Sequence, residues 1–301
     1  MNNNLVNNNN KNRQKCPICN SHEHSFHLKS ACPRSKNRTE YELVKCNVCS
    51  VIYLNPMPTR DNLSGFYRDD YEDNWGDARS LKQYIEYLVA KRIPRKAPGR
   101  LLDIGSGTGA YLREMEARGW SVTGVDAFAG NFKSKIPIHP SIVKHELIDA
   151  HFPDAHFDVV TMWWIIEHYL DPITELREVR RIIKPNGLLA ISTCNPESFI
   201  ASLWGRYWHH LLLPQHCVHF SPKVLGACLE REGFRVVKVR QVPITAGVMG
   251  SLEGYLWEKG FNTRFINSVV IGLGVPFEML AACFKSSDLY TILAEPVLST
   301  R

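Results

Sequence analysis

From residue 100 onward, short apolar runs alternate with stretches of helical spacing. Arg100-Leu-Leu-Asp-Ile-Gly105 closes an apolar run on glycine, and Tyr111-Leu-Arg-Glu-Met-Glu-Ala-Arg-Gly119 spaces its apolar positions helically before a glycine stop. That reads as strand, tight turn, helix. Further strands are predicted over 121–126, 142–147, 157–162, 188–193, 234–242 and 290–294. Helices are predicted over 172–183, capped by Asp171 and stopped by Lys184-Pro-Asn-Gly187, and over 222–232 behind a Ser221 cap. Such alternation implies an α/β, Rossmann-like fold, with a mainly parallel sheet covered by helices on both faces.

Composition divides the chain into a Cys/His/Lys-rich head to about residue 50, a Tyr/Asp/Arg-rich connector to about 99, and the periodic body. The 301 residues, 44% apolar and 22% charged, suit one large domain with a small appendage. The formal charge of +6 is ordinary for a solvated surface and selects no partner. Residues 1–14 are rich in asparagine and read as a disordered tail with no secretory core. The stretch 265–284 is strongly apolar but holds Asn267, Pro276 and Glu278, so it reads as a buried helix or one lying on a surface. Nine cysteines, five of them before residue 50, do not resemble a secreted disulfide framework, and a reducing, cytoplasmic setting is expected.

Cys16-Pro-Ile-Cys19 and Cys46-Asn-Val-Cys49 are two C-x-x-C knuckles, each able to present two thiolates to one ion. Together they compose the tetrahedral sulfur shell of a structural zinc site, expected in a ribbon over 15–55. Cys32, His22, His24 and His27 are substitutes in principle and read as loop residues.

Asp103-Ile-Gly-Ser-Gly-Thr-Gly109 lies where the first strand turns into a helix. Gly105 permits the turn, Gly107 lets the backbone approach a ligand, and the helix N-terminus favours an anionic group. Asp126 ends the second strand about 20 positions later, where an acid meets ribose hydroxyls. Gly105-x-Gly107-x-x-Ala110 also fits the dinucleotide fingerprint of dehydrogenases. A carboxylate at Asp103 suits the ammonium of a methionine tail better than a pyrophosphate.

At this point the chain resembles the class I S-adenosylmethionine methyltransferases. The resemblance is carried by Leu101-Leu-Asp-Ile-Gly-Ser-Gly-Thr-Gly109, Gly124-Val-Asp126, Phe152-Pro-Asp-Ala-His-Phe-Asp-Val-Val160, Ile166-Glu-His168 with Asp171-Pro172, and the run ending Ile-Lys-Pro-Asn-Gly187. Cys46-Asn-Val-Cys-Ser-Val-Ile-Tyr-Leu-Asn-Pro56, Tyr67, Tyr71, Pro214-Gln-His-Cys-Val-His-Phe-Ser-Pro222 and Lys285-Ser-Ser-Asp-Leu-Tyr-Thr-Ile292 resemble one branch with a zinc-ribbon leader. The resemblance implies a seven-stranded sheet with an antiparallel last strand. It implies S-adenosyl-L-methionine contacts at Asp103, Gly105, Ser106, Gly107, Gly109, Asp126 and Trp163, with Glu146 and Leu147 beside the adenine. A short second helix over 127–135 and glutamate at 146, where many relatives have aspartate, depart from the pattern. The implied organisation is tail 1–14, ribbon 15–55, helical connector 56–99 and catalytic domain 100–301, with cap insertions near 196–220 and 243–285.

The sulfonium cofactor is already a strong methyl donor, so the protein has to align a nucleophile and, where needed, take its proton. His168, just after the fourth strand, is the candidate catalytic base, against a reading in which it only shapes the turn. The aromatic segment 199–220 and the stretch 265–284 are expected to wall the acceptor pocket or to pack as a flap, with peripheral membrane contact as a further expectation. No pair among His209, His210, His216 and His219 has recognisable metal-ligand spacing. The expected activity is methyl transfer to a small-molecule, sugar, glycan or lipid-linked acceptor. Ribosomal RNA methylation and a non-catalytic adaptor remain alternatives, although no dense basic run with interleaved aromatics marks a nucleic-acid groove.

Overall fold

The computed structural model describes residues 14–31, 39–63, 93, 97–129, 137–242, 246–260, 284 and 286–297. Most of the predicted connector and of the 265–284 stretch, most of the 127–135 helix, and Cys32, Tyr67 and Tyr71 lie outside these residues.

The head folds as an antiparallel meander of β1 (His24–Ala31), β2 (Glu40–Cys46) and β3 (Ile52–Leu54). The body then runs β4 (Arg100–Ile104), α1 (Ala110–Ala117), β5 (Ser121–Val125), β6 (Ile142–Val143), β7 (Phe157–Trp163), α2 (Pro172–Ile182) and β8 (Ile183–Cys194). It continues with α3 (Phe199–Trp204), β9 (Val218–His219), α4 (Pro222–Arg231), β10 (Phe234–Val242), α5 (Ala246–Glu258) and β11 (Leu289–Pro296).

Seven strands form one sheet in the order β10-β11-β8-β7-β4-β5-β6, parallel except for β11, which is antiparallel to both its neighbours. Central strands covered on both faces read as continuous apolar runs, and β7 buries Val159, Val160, Met162 and Trp163 accordingly. One face is covered by α2 through Ile173, Leu176, Val179 and Ile182, a stripe at helical spacing. The other is covered by α1 through Tyr111, Leu112 and Met115. Each fully buried aliphatic side chain contributes about 1.5–3 kcal/mol over its exposed state.

Two predicted strands have different extents. The strand expected over 142–147 is only the two-residue β6, because β5 ends at Val125 and offers no further ladder to the polar Lys144, His145 and Glu146. The strand expected to begin at 188 begins at Ile183: Phe157 pairs with Ile183 and Val159 with Leu188, so residues 184–187 bulge from a strand they were expected to precede. Asp171 caps α2 by accepting from the Thr174 N–H at 3.2 Å, whereas the Ser221 hydroxyl at the head of α4 makes no cap bond.

The head is joined to the body by its own hydrogen-bond ladder. β3 pairs with β9, Ile52 opposite His219 and Tyr53 opposite Val218, so the ribbon sheet takes its fourth strand from the far end of the chain. Ribbon residues Ile18, Leu43, Val51 and Leu54 belong to the same buried cluster as Ile173, Leu176 and Val224 of the body.

Candidate active site

The glycine loop between β4 and α1 uses left-handed backbone at Gly105, Gly107 and Gly109 (φ 68°, 58° and 80°), conformations that side chains resist. A Cβ on Gly105 would meet Ile165 at 2.7 Å, so the loop lies directly against the turn that follows β7. A Cβ on Gly107 would meet nothing among the described residues within 4 Å beyond its chain neighbours; the loop is open to them there.

Asp126 holds this loop. Its carboxylate accepts from the Gly107 N–H at 2.8 Å and the Phe128 N–H at 2.8 Å, leaving lone pairs for further donors. Burial raises its pKa, and the two N–H groups oppose the rise. Asp103, 2% exposed near the carboxyl end of β4, takes a bond from Thr161 Oγ1 at 2.6 Å. Trp163 packs edge-to-face on Tyr111 at 5.4 Å, beneath the loop, and its indole N–H has no acceptor among the described residues. Burial, and then the charge of Asp103, drives the Tyr111 phenol far above its usual range. The Ser106 hydroxyl is likewise buried without a partner among the described residues. Leu147 is buried, and Glu146 stands 3.8 Å from Arg60.

Beyond Ile165, a single turn at Ile166–His168 presents Glu167 and His168 at the carboxyl end of β7. Glu167 is 1% exposed, and burial lifts it to about 7. Burial takes His168 down to about 4, against hydrogen bonds to the Gln215 and Trp164 carbonyls, so the ring is neutral at physiological pH. Its ring meets His216 edge-to-face at 4.7 Å. His216 Nδ1 faces the His210 carbonyl at 2.8 Å, which requires the proton on Nδ1. The Cys217 N–H donates to the Glu167 carbonyl at 2.8 Å, and the Leu54 N–H to the Cys217 carbonyl at 3.0 Å, so the head, the residue preceding β9 and the Ile166–His168 turn are hydrogen-bonded in series. One donor atom from each of Glu167, His168 and His216 lies within 4.8 Å of the others. Nothing local in the sequence signals that convergence, because His216 arrives through the docking of β9.

Much of the segment expected to wall the acceptor pocket packs as a flap. Trp208, Leu211, Leu213 and Phe220 are buried, while Phe199 and Leu203 face outward. Asp288, fully buried, clasps it: Ser198 Oγ donates to Oδ1 at 2.9 Å, Trp208 Nε1 donates to Oδ1 at 2.6 Å, and His210 Nε2 lies 3.1 Å from Oδ2. Of the apolar stretch 265–284 only Phe284 is described, and it is exposed. Among the described residues no helix is long and apolar enough to cross a membrane.

In the head, Cys16, Cys19, Cys46 and Cys49 bring their sulfurs within 4.8 Å of one another, with Cys16–Cys49 and Cys19–Cys46 at 3.5 Å. Sulfurs about 2.3 Å from a tetrahedral ion stand about 3.8 Å apart, so the spacing fits. The knuckles match each other: the Cys16 and Cys46 backbone carbonyls accept from the Asn20 and Ser50 N–H groups at 3.0 Å, and Asn20 and Ser50 are both left-handed (φ 60° and 64°). A separate cleft of 610 Å³ between the first knuckle and α2 is lined by Lys15, Ile18, Ile173, Arg177 and Arg231. No residue of the glycine loop lines it, and both arginines are engaged by Glu232 at 2.8 and 3.0 Å.

The family model of a methyltransferase domain matches residues 75–239. The chain belongs to this methyltransferase family. The methyltransferase is 31% identical over 151 residues to the ubiquinone biosynthesis O-methyltransferase of Pseudomonas aeruginosa strain LESB58, covering 46% of this chain and 65% of that one. It is 28% identical over 198 residues to the enzyme of the same name from Xanthomonas campestris pv. campestris strain B100, covering 58% and 82%. The matched stretch therefore spans just under two thirds of the Pseudomonas protein. A complex from Haloferax volcanii between the Trm112 methyltransferase activator and a methyltransferase superposes with TM-score 0.53 at 15% identity, covering 78% of this chain and 99% of the matched one. A SAM-dependent methyltransferase from Thermotoga maritima superposes with TM-score 0.50 at 17% identity, covering 77% and 98%. At such identities these likenesses show the fold.

Proposed function

We propose that this methyltransferase transfers methyl to a hydroxyl oxygen of a small-molecule acceptor, free or lipid- or glycan-linked. The observation that carries the reading is the open glycine loop lying against Ile165, just ahead of the turn that bears Glu167 and His168, which supports a cofactor cradle next to an acceptor site. The relatives' O-methyltransferase names support oxygen as the accepting atom. Asp103, Gly105, Ser106, Gly107, Gly109, Asp126, Glu146, Leu147 and Trp163 are assigned to the cofactor, and His168 is the catalytic residue on the acceptor side. The four head cysteines fit one zinc ion; a closed sulfur shell leaves no open position, so zinc there would stabilise the fold. A cytoplasmic enzyme that touches membranes only at its surface accords with this reading.

Incubation with methyl-labelled cofactor and fractionated cell metabolites, lipids and RNA tests it. Label is expected as a methyl ether in the small-molecule or lipid fraction; label confined to RNA would overturn the acceptor assignment. With the acceptor in hand, His168→Gln should slow single-turnover transfer by about a hundredfold or more while S-adenosylhomocysteine affinity stays within twofold. Equal rates would return His168 to a purely architectural part.

A further inference from the structure

We propose that Glu167, His168 and His216 form a second metal site, distinct from the cysteine cluster, which binds a divalent cation such as zinc, iron or cobalt on the acceptor side. Three observations meet here. Donor atoms of the three residues lie within 4.8 Å of one another, and ligand atoms about 2.1 Å from an ion stand about 3–4 Å apart, so small side-chain adjustments close the shell. Glu167 is 1% exposed, and its Oε2 has no hydrogen-bond partner among the described residues, a costly arrangement that a cation would relieve. His216 gives its Nδ1 proton to the His210 carbonyl at 2.8 Å, which leaves the Nε2 lone pair for an ion and is the outer-sphere bond that orients metal-bound histidines. The His168 ring faces the Gln215 and Trp164 carbonyls, so its ligation requires one of these contacts to give way to the ion while its single N–H keeps the other.

One carboxylate and two imidazoles suit a borderline transition metal, and three protein ligands leave coordination positions open, as in catalytic rather than structural sites. Placed after β7 and beside the glycine loop, the ion would meet the acceptor's hydroxyl. Bound there, the hydroxyl releases its proton to water at a lowered pKa; its oxygen then takes the methyl carbon, and the carbon–sulfur electron pair leaves on the sulfur of S-adenosylhomocysteine. His168 then acts as a ligand rather than as the base. This chemistry rests on the methyl-transfer reading, whereas the existence of the site does not.

Cobalt(II) titration of the metal-free full-length protein provides the test, with absorption spectra separating the two sites. One equivalent should show the intense thiolate charge-transfer bands of four cysteines, and a second should show only weak ligand-field bands without thiolate character. Glu167→Gln, nearly isosteric, and His216→Asn should each abolish the second equivalent and leave the first intact, with folding checked by circular dichroism. A single thiolate-bound equivalent in the wild type, or a second that survives both variants, overturns the proposal. S-adenosylhomocysteine binding in the same samples reports separately on the cofactor assignment, so loss of that binding with two cobalt equivalents retained would count against the methyl-transfer reading alone.

Discussion

Gly107 shows how much one residue can carry. Its φ of 58° disfavours any side chain, most of all a β-branched one, and its missing Cβ leaves the loop open on that side. Because a Cβ there meets no atom of the described residues within 4 Å apart from its chain neighbours, valine strains the backbone locally without disturbing the core. Gly107→Val is expected to weaken S-adenosylhomocysteine binding by at least about a hundredfold in calorimetry while the melting temperature falls by only a few degrees. Undiminished affinity would remove the loop from the cofactor site. The glycine spacing was legible because only glycine tolerates such angles. What the Asp126 carboxylate does with the Gly107 N–H was not, because a strand-end acid reads the same whether it faces ribose or its own chain.

At the scale of elements, α2 announces itself through its apolar stripe and Asp171 cap, yet it also buries a carboxyl that breaks the pattern. Glu175 is 6% exposed, and burial followed by the charge of Glu146 lifts it to about 8, with Arg60 opposing and Asp171 and Glu178 adding to the rise. In the unfolded chain this carboxyl ionises near 4.5, whereas folded it keeps its proton until about 8. Its stabilising contribution is therefore complete at low pH and is lost as pH rises through the folded value. Between pH 6 and 9 the wild type should lose about 2–3 kcal/mol that Glu175→Gln, neutral throughout, does not lose. Urea melts of both proteins at the two pH values measure the difference; parallel losses would show that Glu175 ionises normally. Pairing opportunity explains the misjudged strand: β6 is short because β5, its ladder partner among the described residues, ends at Val125, which residues 144–147 could not reveal.

For the whole molecule, the decisive feature is the seam between ribbon and body. The ladder of β3 on β9 and a buried cluster running from Ile18 through Ile173 to Val224 join the two parts, and they are expected to unfold as one cooperative unit. If one zinc ion holds Cys16, Cys19, Cys46 and Cys49, Cys46→Ser should lower the temperature of a single calorimetric transition for the entire chain. A separate low-temperature transition with the main one unmoved would instead mark the ribbon as an independent appendage. Elemental analysis of both proteins accompanies the scan, so that a loss of stability can be matched to a loss of zinc.

Sequence alone determined the local and periodic features of this protein: the α/β alternation, the glycine turn, the paired cysteine knuckles and the capped helix. Each is written in residues a few positions apart, where spacing maps directly onto backbone geometry. Tertiary structure alone decided that β9 completes the ribbon sheet, that Asp288 clasps the aromatic flap, and that His216 comes to lie against Glu167 and His168. These contacts join residues far apart along the chain, and burying a shared apolar core, rather than any local preference, selects them.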